Sequence, residues 1–221
     1  MLETAYPVTY LIIGVTIVTS VFAFMNHAFM EDLLFSTERI LKNKEIYRVI
    51  TSMFLHADWG HLLFNMFSFY SFAELLEYQY GGYTVLIIYL VSGVFADLFT
   101  LIIKRNDLSY RALGASGAVL GIIFASIFLA PGGSIYLFFI PVPIPDYLYA
   151  VLYIALSIYF MRKNNDGIGH AAHLGGAICG IILAFIFNSE LVLENKALLL
   201  GISGILAASI ALFKFKPNLF S

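Results

Sequence analysis

The sequence predicts an all-α polytopic membrane protein: a bundle of seven transmembrane helices with a structured first loop at the membrane interface. Hydrophobic residues make up 61% of the 221 residues, only 12% are charged, and the mean hydropathy is +0.89. A soluble globule needs far more polar surface than this. Long apolar runs, suited to a hydrocarbon layer of roughly 30 Å, recur along the chain between short polar or Gly/Pro segments.

The seven predicted spans follow one another without an intervening soluble domain. The first apolar run lacks the basic start of a cleaved signal sequence, so we expect it to stay in the protein as a permanent span. The spans cover residues 6–25, 59–78, 83–103, 115–130, 147–160, 171–188 and 197–213.

Two connections between the spans are long. Residues 26–58, called loop one below, mix charged with aromatic and aliphatic side chains, which is typical of short amphipathic pieces lying in the membrane interface. Residues 131–146 contain four prolines, which exclude a regular helix and favour an extended surface connection.

Charge and cysteine content exclude several classes of partner and site. The formal net charge is −2 and there is no basic block, so nothing in the sequence supports binding of nucleic acid. The single cysteine, Cys179, excludes an internal disulfide and a metal site built from cysteines.

Strongly polar residues gather at the start of three even-numbered spans. His61 and Asn65 begin span two, Ser116 begins span four, and His170 and His173 begin span six. All three starts follow odd-numbered loops and therefore lie at similar depth on one side of the membrane. Polar side chains inside a span are functional candidates, because an unsatisfied polar group is costly in hydrocarbon.

Ser116 is the central candidate among these polar residues. Its neighbours Gly114, Ala115 and Gly117 leave the hydroxyl unshielded. Its place near a helix N-terminus offers unpaired N–H groups and a positive dipole to a developing anion. The alternative is a serine that serves only as a spacer in a small-residue helix face.

A glycine stripe on span six indicates which histidine can reach the serine of span four. His173 shares a helical face with Gly176 and Gly180, and this stripe can press against Gly117 and Gly121 of span four. Close packing would bring His173 beside the serine, which needs a base to act as a nucleophile at neutral pH. The sequence therefore predicts a catalytic Ser–His pair.

The other polar residues have less specific patterns. His61 and Asn65 are four residues apart and share one helical face, where they would either bond to neighbouring helices or serve the reaction. His170 lies nearer the interface, where a hydrogen-bonding role at the end of a loop is the simpler interpretation.

Two other functions remain alternatives. His61, His170 and His173 would in principle ligate zinc, but the helical pattern of two histidines four apart with an adjacent glutamate is absent. A transporter would also carry polar groups inside its spans. Against transport, these polar groups sit near one face and no span carries a charge pair.

Taken together, these motifs resemble those of the rhomboid family of intramembrane serine proteases. The matching residues are Tyr47-Arg48 in a long first loop, His61 and Asn65, Gly114-Ala-Ser116-Gly117, and His173 within Gly-xxx-His-xx-Gly-xxx-Gly. Each motif alone is weak evidence for the family. Their order, their spacing by span and their common membrane face make the combination specific.

The resemblance implies a serine endopeptidase that cleaves peptide bonds in or near transmembrane segments of other membrane proteins, without metal, cofactor, nucleotide or nucleic acid. It implies that Ser116 is the nucleophile and His173 the general base, a dyad without a carboxylate. The oxyanion would be held by the Ser116 backbone N–H and the side chains of His61 and Asn65. The alternative is a proteolytically inactive rhomboid-like protein that binds membrane clients, which the presence of both dyad residues opposes.

The resemblance also implies the domain organisation. The fold would be a single rhomboid-like membrane domain over residues 1–221, with a six-span core at about 6–188 and an extra C-terminal span at about 197–213. Three further residues match family positions in loop one and at the far end of span two: Arg48, His56 and Glu77.

Two features depart from the family pattern. The aromatic residue that often follows the serine by one helical turn, and stacks on the catalytic histidine, is replaced by Leu120. Eleven of the twelve Lys and Arg residues lie on the side of the odd loops and the C-terminus, which positive-inside reasoning places in the cytoplasm. Family members generally open their active site to the extracytoplasmic side. We expect that orientation, in the cell membrane, because nearby acidic residues dilute the positive charge.

Overall fold

The computed structural model describes residues 6–131, 134–135, 143–145, 147–149, 151–152 and 169–215. Its helices and strands are, in chain order, α1 (Pro7–Met25), α2 (His27–Leu33), β1 (Phe35–Ser36), α3 (Thr37–Asn43), α4 (Arg48–Thr51), a 3-10 turn (Ser52–Phe54), α5 (Trp59–Tyr80), α6 (Gly82–Lys104), β2 (Arg111–Ala112), α7 (Ser116–Leu129), β3 (Ser134–Ile135), β4 (Ile144–Pro145), α8 (His170–Phe187), α9 (Ser189–Glu194) and α10 (Lys196–Phe215).

The long helices begin and end within two residues of the predicted spans. α1, α6 and α8 are each long and apolar enough to cross a membrane, and α7 and the first part of α10 are shorter apolar helices. These are the helices of an all-α polytopic membrane protein. The fifth predicted span, 147–160, lies largely outside the described residues.

The connection between α1 and α5 folds into short helices, as its amphipathic pattern predicts. Arg48 connects these short helices through hydrogen bonds. Its buried guanidinium donates to the Glu45 carboxylate at 2.6 Å. It also donates to the backbone carbonyls of Glu31 and Leu34, at 3.0 and 2.7 Å. A buried charge is stable only with such partners, so Arg48 fixes the path of the chain from α2 to α4.

In the part of the chain that the structure describes, two short strand pairs accompany the helices, and the hydropathy pattern predicts neither of them. β1 pairs antiparallel with β2, which places Phe35 opposite Ala112, and Arg111 forms an ion pair with Glu31 of α2. Loop one and the loop after α6 therefore lie on the same side of the membrane, as the order of the spans requires. β3 and β4 form the second pair, within the proline-containing connection for which the sequence predicts an extended chain.

On the opposite side of the bundle, Glu77 of α5 fastens the start of α1. Its carboxylate accepts hydrogen bonds from the backbone N–H groups of Val8 and Thr9, at 3.1 and 2.8 Å, and from the Thr9 hydroxyl at 2.6 Å. N–H groups in a first helical turn have no partner within the helix and carry the positive end of its dipole. Glu77 therefore caps α1 from a neighbouring helix.

α7 lies at the centre of the core, since every one of its residues after Ser116 is buried. α8 packs against it through glycines. A Cβ atom at Gly176 would lie 2.8 Å from the carbonyl carbon of Gly117, and one at Gly180 would lie 2.9 Å from that of Gly121. The predicted contact between the two glycine faces is therefore present.

α7 is too short to cross the hydrocarbon layer. Its 14 residues extend about 21 Å, against a layer of roughly 30 Å. The Tyr80 hydroxyl at the end of α5 donates to the Leu129 carbonyl at the end of α7, at 3.0 Å, so the two helices end at similar depth. If this end of α7 lies at the membrane surface, its length would place Ser116, at the other end of the helix, below the opposite surface.

Candidate active site

Ser116 is the first residue of α7, and Ala115 before it provides no side-chain cap. The first hydrogen bond of the helix runs from the Val119 N–H to the Ala115 carbonyl, at 2.9 Å. The N–H groups of Ser116, Gly117 and Ala118 consequently have no partner within the helix. The serine hydroxyl is attached to a helix end that favours negative charge.

His173 lies in the first turn of α8 and reaches Ser116 across the contact between the glycine faces. Its Nε2 atom is 2.8 Å from the Ser116 Oγ atom, which is hydrogen-bond distance. For the hydroxyl to donate, Nε2 must be unprotonated and Nδ1 must carry the proton of the neutral ring. His173 is 8% exposed and Ser116 is partly buried, so the histidine ring is largely shielded from water.

An aromatic contact to His173 comes from its own helix. The ring of His170, one turn earlier, meets His173 edge to face, with ring centroids 5.7 Å apart and ring planes at 84°. T-shaped ring pairs are favourable and restrict the orientation of both rings. Leu120 is buried in α7, so His170 supplies a ring contact that the aliphatic Leu120 does not.

His61 and Asn65 share the face of α5 that approaches the start of α7. Gly114, two residues before Ser116, has a φ of +132°, and a Cβ atom there would lie 2.9 Å from the His61 Nε2 atom. Only glycine leaves room for this ring. The Ala57 N–H is 3.5 Å from His61 Nδ1, which favours the tautomer with the proton on Nε2. Asn65 is buried and donates to the His61 carbonyl at 3.0 Å, which leaves its second amide hydrogen for another acceptor.

Loop one fixes the segment that leads into Ser116. This segment begins with β2, which is paired with β1 of loop one. The Gly114 N–H then donates to the Ser52 carbonyl at 3.1 Å, and the Ala115 N–H donates to the His56 Nε2 atom at 3.4 Å. The backbone on the N-terminal side of the candidate nucleophile is therefore held at consecutive residues.

His56 is buried and links α1 to the start of α7. Because its Nε2 atom accepts from the Ala115 N–H, its Nδ1 atom carries the proton and donates to the Ser20 hydroxyl at 3.0 Å. Burial lowers the pKa of His56 to about 3, with a further contribution from the nearby charge of His61 and an opposite one from Asp58. The ring is therefore neutral at physiological pH.

His56 should make the stability of the protein depend on pH between about 6.5 and 3. A histidine in the unfolded chain binds a proton near pH 6.5, whereas His56 in the folded protein stays neutral down to about pH 3. The unfolded state binds more protons in this window, so the stabilisation is fully present above about pH 6.5 and is lost as the pH falls. We expect a loss of about 2 kcal/mol by about pH 5.

The measurement is the Tm in detergent at about pH 7.5 and about pH 5. His56→Gln keeps a neutral donor and acceptor, so the difference in Tm between the two pH values should shrink. His27→Gln, at the exposed start of α2, is the matched control and should keep the wild-type difference. An unchanged difference in His56→Gln would show that another group causes the pH dependence.

The zinc alternative involves His61, His170 and His173. In the part of the chain that the structure describes, no three His, Cys, Asp or Glu side chains come together as a group of metal ligands. His173 faces Ser116, and His61 packs against Gly114.

Asp97 lies near the site and belongs to none of the sequence motifs described above. It lies within α6, and its carboxyl group contacts the Ser52 hydroxyl in loop one. A carboxyl group inside an apolar helix is a functional signal in its own right, so this residue could have been found. The contacts of Ser52 and His56 with the segment before Ser116 have no such local signal.

Comparisons with known proteins identify the family of this chain. The rhomboid domain family matches residues 43–190, which include every candidate site residue. RHOMBOID-like protein 12, mitochondrial, of Arabidopsis thaliana is 31% identical over 184 residues, or 76% of this chain and 54% of that protein. The putative rhomboid protease YdcA of Bacillus subtilis is 31% identical over 144 residues, or 65% of this chain and 68% of that protein.

Rhomboid protease AarA of Providencia stuartii is 27% identical over 197 residues, or 78% of this chain and 68% of that protein. The chain spans about half the length of the mitochondrial and chloroplastic Arabidopsis relatives that it matches. The family match covers well over half of the chain. The protein therefore belongs to the rhomboid family.

Proposed function

We propose that this protein is an intramembrane serine endopeptidase that cleaves peptide bonds in or near transmembrane segments of other membrane proteins. The observation that carries the proposal is the 2.8 Å distance between Ser116 Oγ and His173 Nε2. A serine hydroxyl needs such a base to attack a carbonyl group at neutral pH. Membership of the rhomboid family, in which two bacterial relatives are named as proteases, supports the same activity.

The reaction would proceed through an acyl-serine ester. His173 takes the hydroxyl proton as Ser116 Oγ bonds to the carbonyl carbon, and the negative charge moves to the carbonyl oxygen. The Ser116 N–H and the side chains of His61 and Asn65 would donate hydrogen bonds to that oxygen. Protonated His173 then gives its proton to the leaving amine, and water attacks the ester with the same base. These steps balance with protein groups and water alone.

The position of the site suits a substrate that arrives through the lipid bilayer. Ser116 would lie below the membrane surface, and α5 presents large apolar side chains outward near the site. Leu63 is 63% exposed and Phe64 is 52% exposed. Such side chains are compatible with contact to lipid. The partners that we propose are therefore transmembrane proteins and the bilayer, with no nucleic acid or nucleotide.

The proposal is tested by incubating the purified protein in proteoliposomes with a protein that carries a single transmembrane segment. We expect two fragments whose new termini, identified by mass spectrometry, lie in or near that segment. Ser116→Ala should yield neither fragment. Folded wild-type protein that binds this substrate without cleaving it would contradict the proposal and favour the client-binding alternative.

Asn65→Ala should lower kcat by about a hundredfold while KM changes little. The Asn65 amide already donates one hydrogen to the His61 carbonyl, and its second hydrogen would bond to charge that exists mainly in the transition state. Ser71→Ala is the matched control, because the Ser71 hydroxyl makes an equivalent bond to the carbonyl four residues earlier in the same helix. An unchanged kcat in Asn65→Ala would make Asn65 a packing residue of α5.

We also propose the domain organisation and span number implied by the family. Residues 1–221 form one membrane domain with seven spans, a six-span core at about 6–188 and an extra span formed by α10. α10 follows α8 through the short helix α9, which fits an appended span.

The proposed location is the cell membrane, with Ser116 opening to the extracytoplasmic side. Ion pairs in the surrounding loops reduce the positive field that would favour the cytoplasm. These pairs are Arg39–Asp32, Lys42–Glu38, Arg48–Glu45 and Arg111–Glu31. A cysteine at the exposed Asn106, in a Cys179→Ser background, should react with a membrane-impermeant thiol reagent added outside intact cells. Reaction only after permeabilisation would show that the site opens to the cytoplasm instead.

A further inference from the structure

α6 carries a carboxyl group inside its apolar stretch. Asp97 lies seven residues before the end of the helix at Lys104, or about 10 Å along its axis. A charge at this depth is costly unless it is paired. Among the described residues, no Lys, Arg or His nitrogen lies within 4.0 Å of this carboxyl group. Its hydrogen-bond contact is with Ser52 of the 3-10 turn.

The contacts of Ser52 require two hydrogens. Its Oγ atom lies 2.5 Å from the Asp97 Oδ2 atom and 2.6 Å from the Arg48 carbonyl oxygen. A hydroxyl group has one hydrogen and a carbonyl has none, so Ser52 can donate to only one of these oxygens. Two oxygens this close repel each other unless a hydrogen lies between them. The second hydrogen must therefore come from the carboxyl group.

Ser52 is connected in turn to the segment that carries the candidate nucleophile. Its carbonyl accepts the Gly114 N–H at 3.1 Å, two residues before Ser116. Ser52 is only 2% exposed, so its position is set by its protein neighbours. A shift of Ser52 would consequently displace the start of α7.

We propose that the Asp97 carboxyl group is protonated and donates a hydrogen bond to the Ser52 hydroxyl. Asp97 thereby acts as a positioning residue for Ser116 through Ser52 and Gly114. The inference rests on the serine protease function proposed above. Ser52 then donates to the Arg48 carbonyl, which satisfies both short contacts. A neutral carboxyl group also avoids an unpaired charge in the hydrocarbon layer.

Infrared spectroscopy tests whether the Asp97 carboxyl group is protonated, and it requires no measurement of enzymatic activity. The difference spectrum between the wild type and Asp97→Asn, at neutral pH, should contain the carbonyl band of one protonated carboxylic acid. Asp107→Asn is the control, since Asp107 is an exposed acid that accepts from Ser109, and it should remove carboxylate bands only. Carboxylate bands in place of the acid band at Asp97 would overturn the proposal, whether or not the protein is a protease.

Kinetics test the positioning role. Asp97→Ala and Ser52→Ala should each lower kcat and the fluorophosphonate labelling rate of Ser116 by about tenfold, the scale of one buried hydrogen bond, with little change in KM. The double variant should be no slower than the slower single variant, because both changes break the same bond. Asp97→Asn should stay within about twofold of wild type, since its amide donates to Ser52 without a charge.

Asp97→Asn tests the positioning role even if Asp97→Ala does not fold, because it replaces the carboxyl group by an amide of the same shape. Folded Asp97→Asn protein with labelling as slow as in Ser52→Ala would overturn the proposal. So would wild-type kcat and labelling in folded Asp97→Ala. Labelling of Ser116 needs no peptide substrate, so these outcomes are distinct from a failure of the protein to cleave transmembrane segments.

Discussion

Replacing Ser116 by alanine is expected to abolish peptide-bond hydrolysis, with a loss in kcat of about ten-thousand-fold or more. The change removes the oxygen that lies 2.8 Å from the His173 Nε2 atom. His173→Ala should cause a similar loss, because the serine then has no base. The double variant should be no worse than either single variant, since the two residues act as a unit. The measurement is the cleavage rate of a transmembrane substrate, with folding checked by Tm.

A fluorophosphonate probe distinguishes a variant that has lost the reactive serine from one that has lost its fold. It should label the wild type and neither dyad variant. Ser126→Ala, which removes a buried hydroxyl deeper in α7, is the matched control and should be labelled normally. His170→Ala should retain substantial activity, because His173 makes the contact with the Ser116 hydroxyl and His170 adds an edge-to-face ring contact beside it. Equal labelling of Ser116→Ala would refute the nucleophile assignment, and an active His173→Ala beside an inactive His170→Ala would reverse the roles of the histidines.

The helices could be predicted because the length of an apolar run largely determines a membrane span. The runs at 59–78 and 171–188 correspond to α5 and α8, with ends displaced by two residues or fewer. The β1–β2 pair could not be predicted in this way. Its strands have two residues each and lie far apart in the chain, so hydropathy carries no signal for them. Their pairing depends on how loop one folds against the loop after α6.

The proximity of Ser116 to His173 could also be predicted, because glycines at regular spacing mark a close contact between helices. That contact selects His173 over His170. The hydrogen bonds that hold the preceding segment could not be predicted. Ser52 contributes a backbone carbonyl, which every residue has, and His56 reaches Ala115 from an irregular loop. Only the folded path of loop one brings these groups to the start of α7.

Gly176→Ala is expected to lower kcat by about a hundredfold or more by forcing α8 away from α7. The added Cβ atom would lie 2.8 Å from the carbonyl carbon of Gly117, and backbone atoms cannot rotate away as a side chain can. Gly117 follows Ser116 directly, and Gly176 lies one turn after His173, so separation of the helices lengthens the distance between the dyad atoms. A displacement of about 1 Å can cost a hundredfold in rate, and overpacking destabilises by about 1–3 kcal/mol.

The same change at Gly14 of α1 is the matched control, because a Cβ atom there meets no atom within 4 Å. Gly14→Ala should therefore keep kcat, Tm and fluorophosphonate labelling close to wild type. Wild-type kcat and Tm in Gly176→Ala would show that this contact does not set the dyad distance. Gly180 presses on Gly121 one turn deeper in the bundle. Gly180→Ala should consequently lower Tm about as much as Gly176→Ala but reduce kcat less, because the strain arises farther from the reacting atoms.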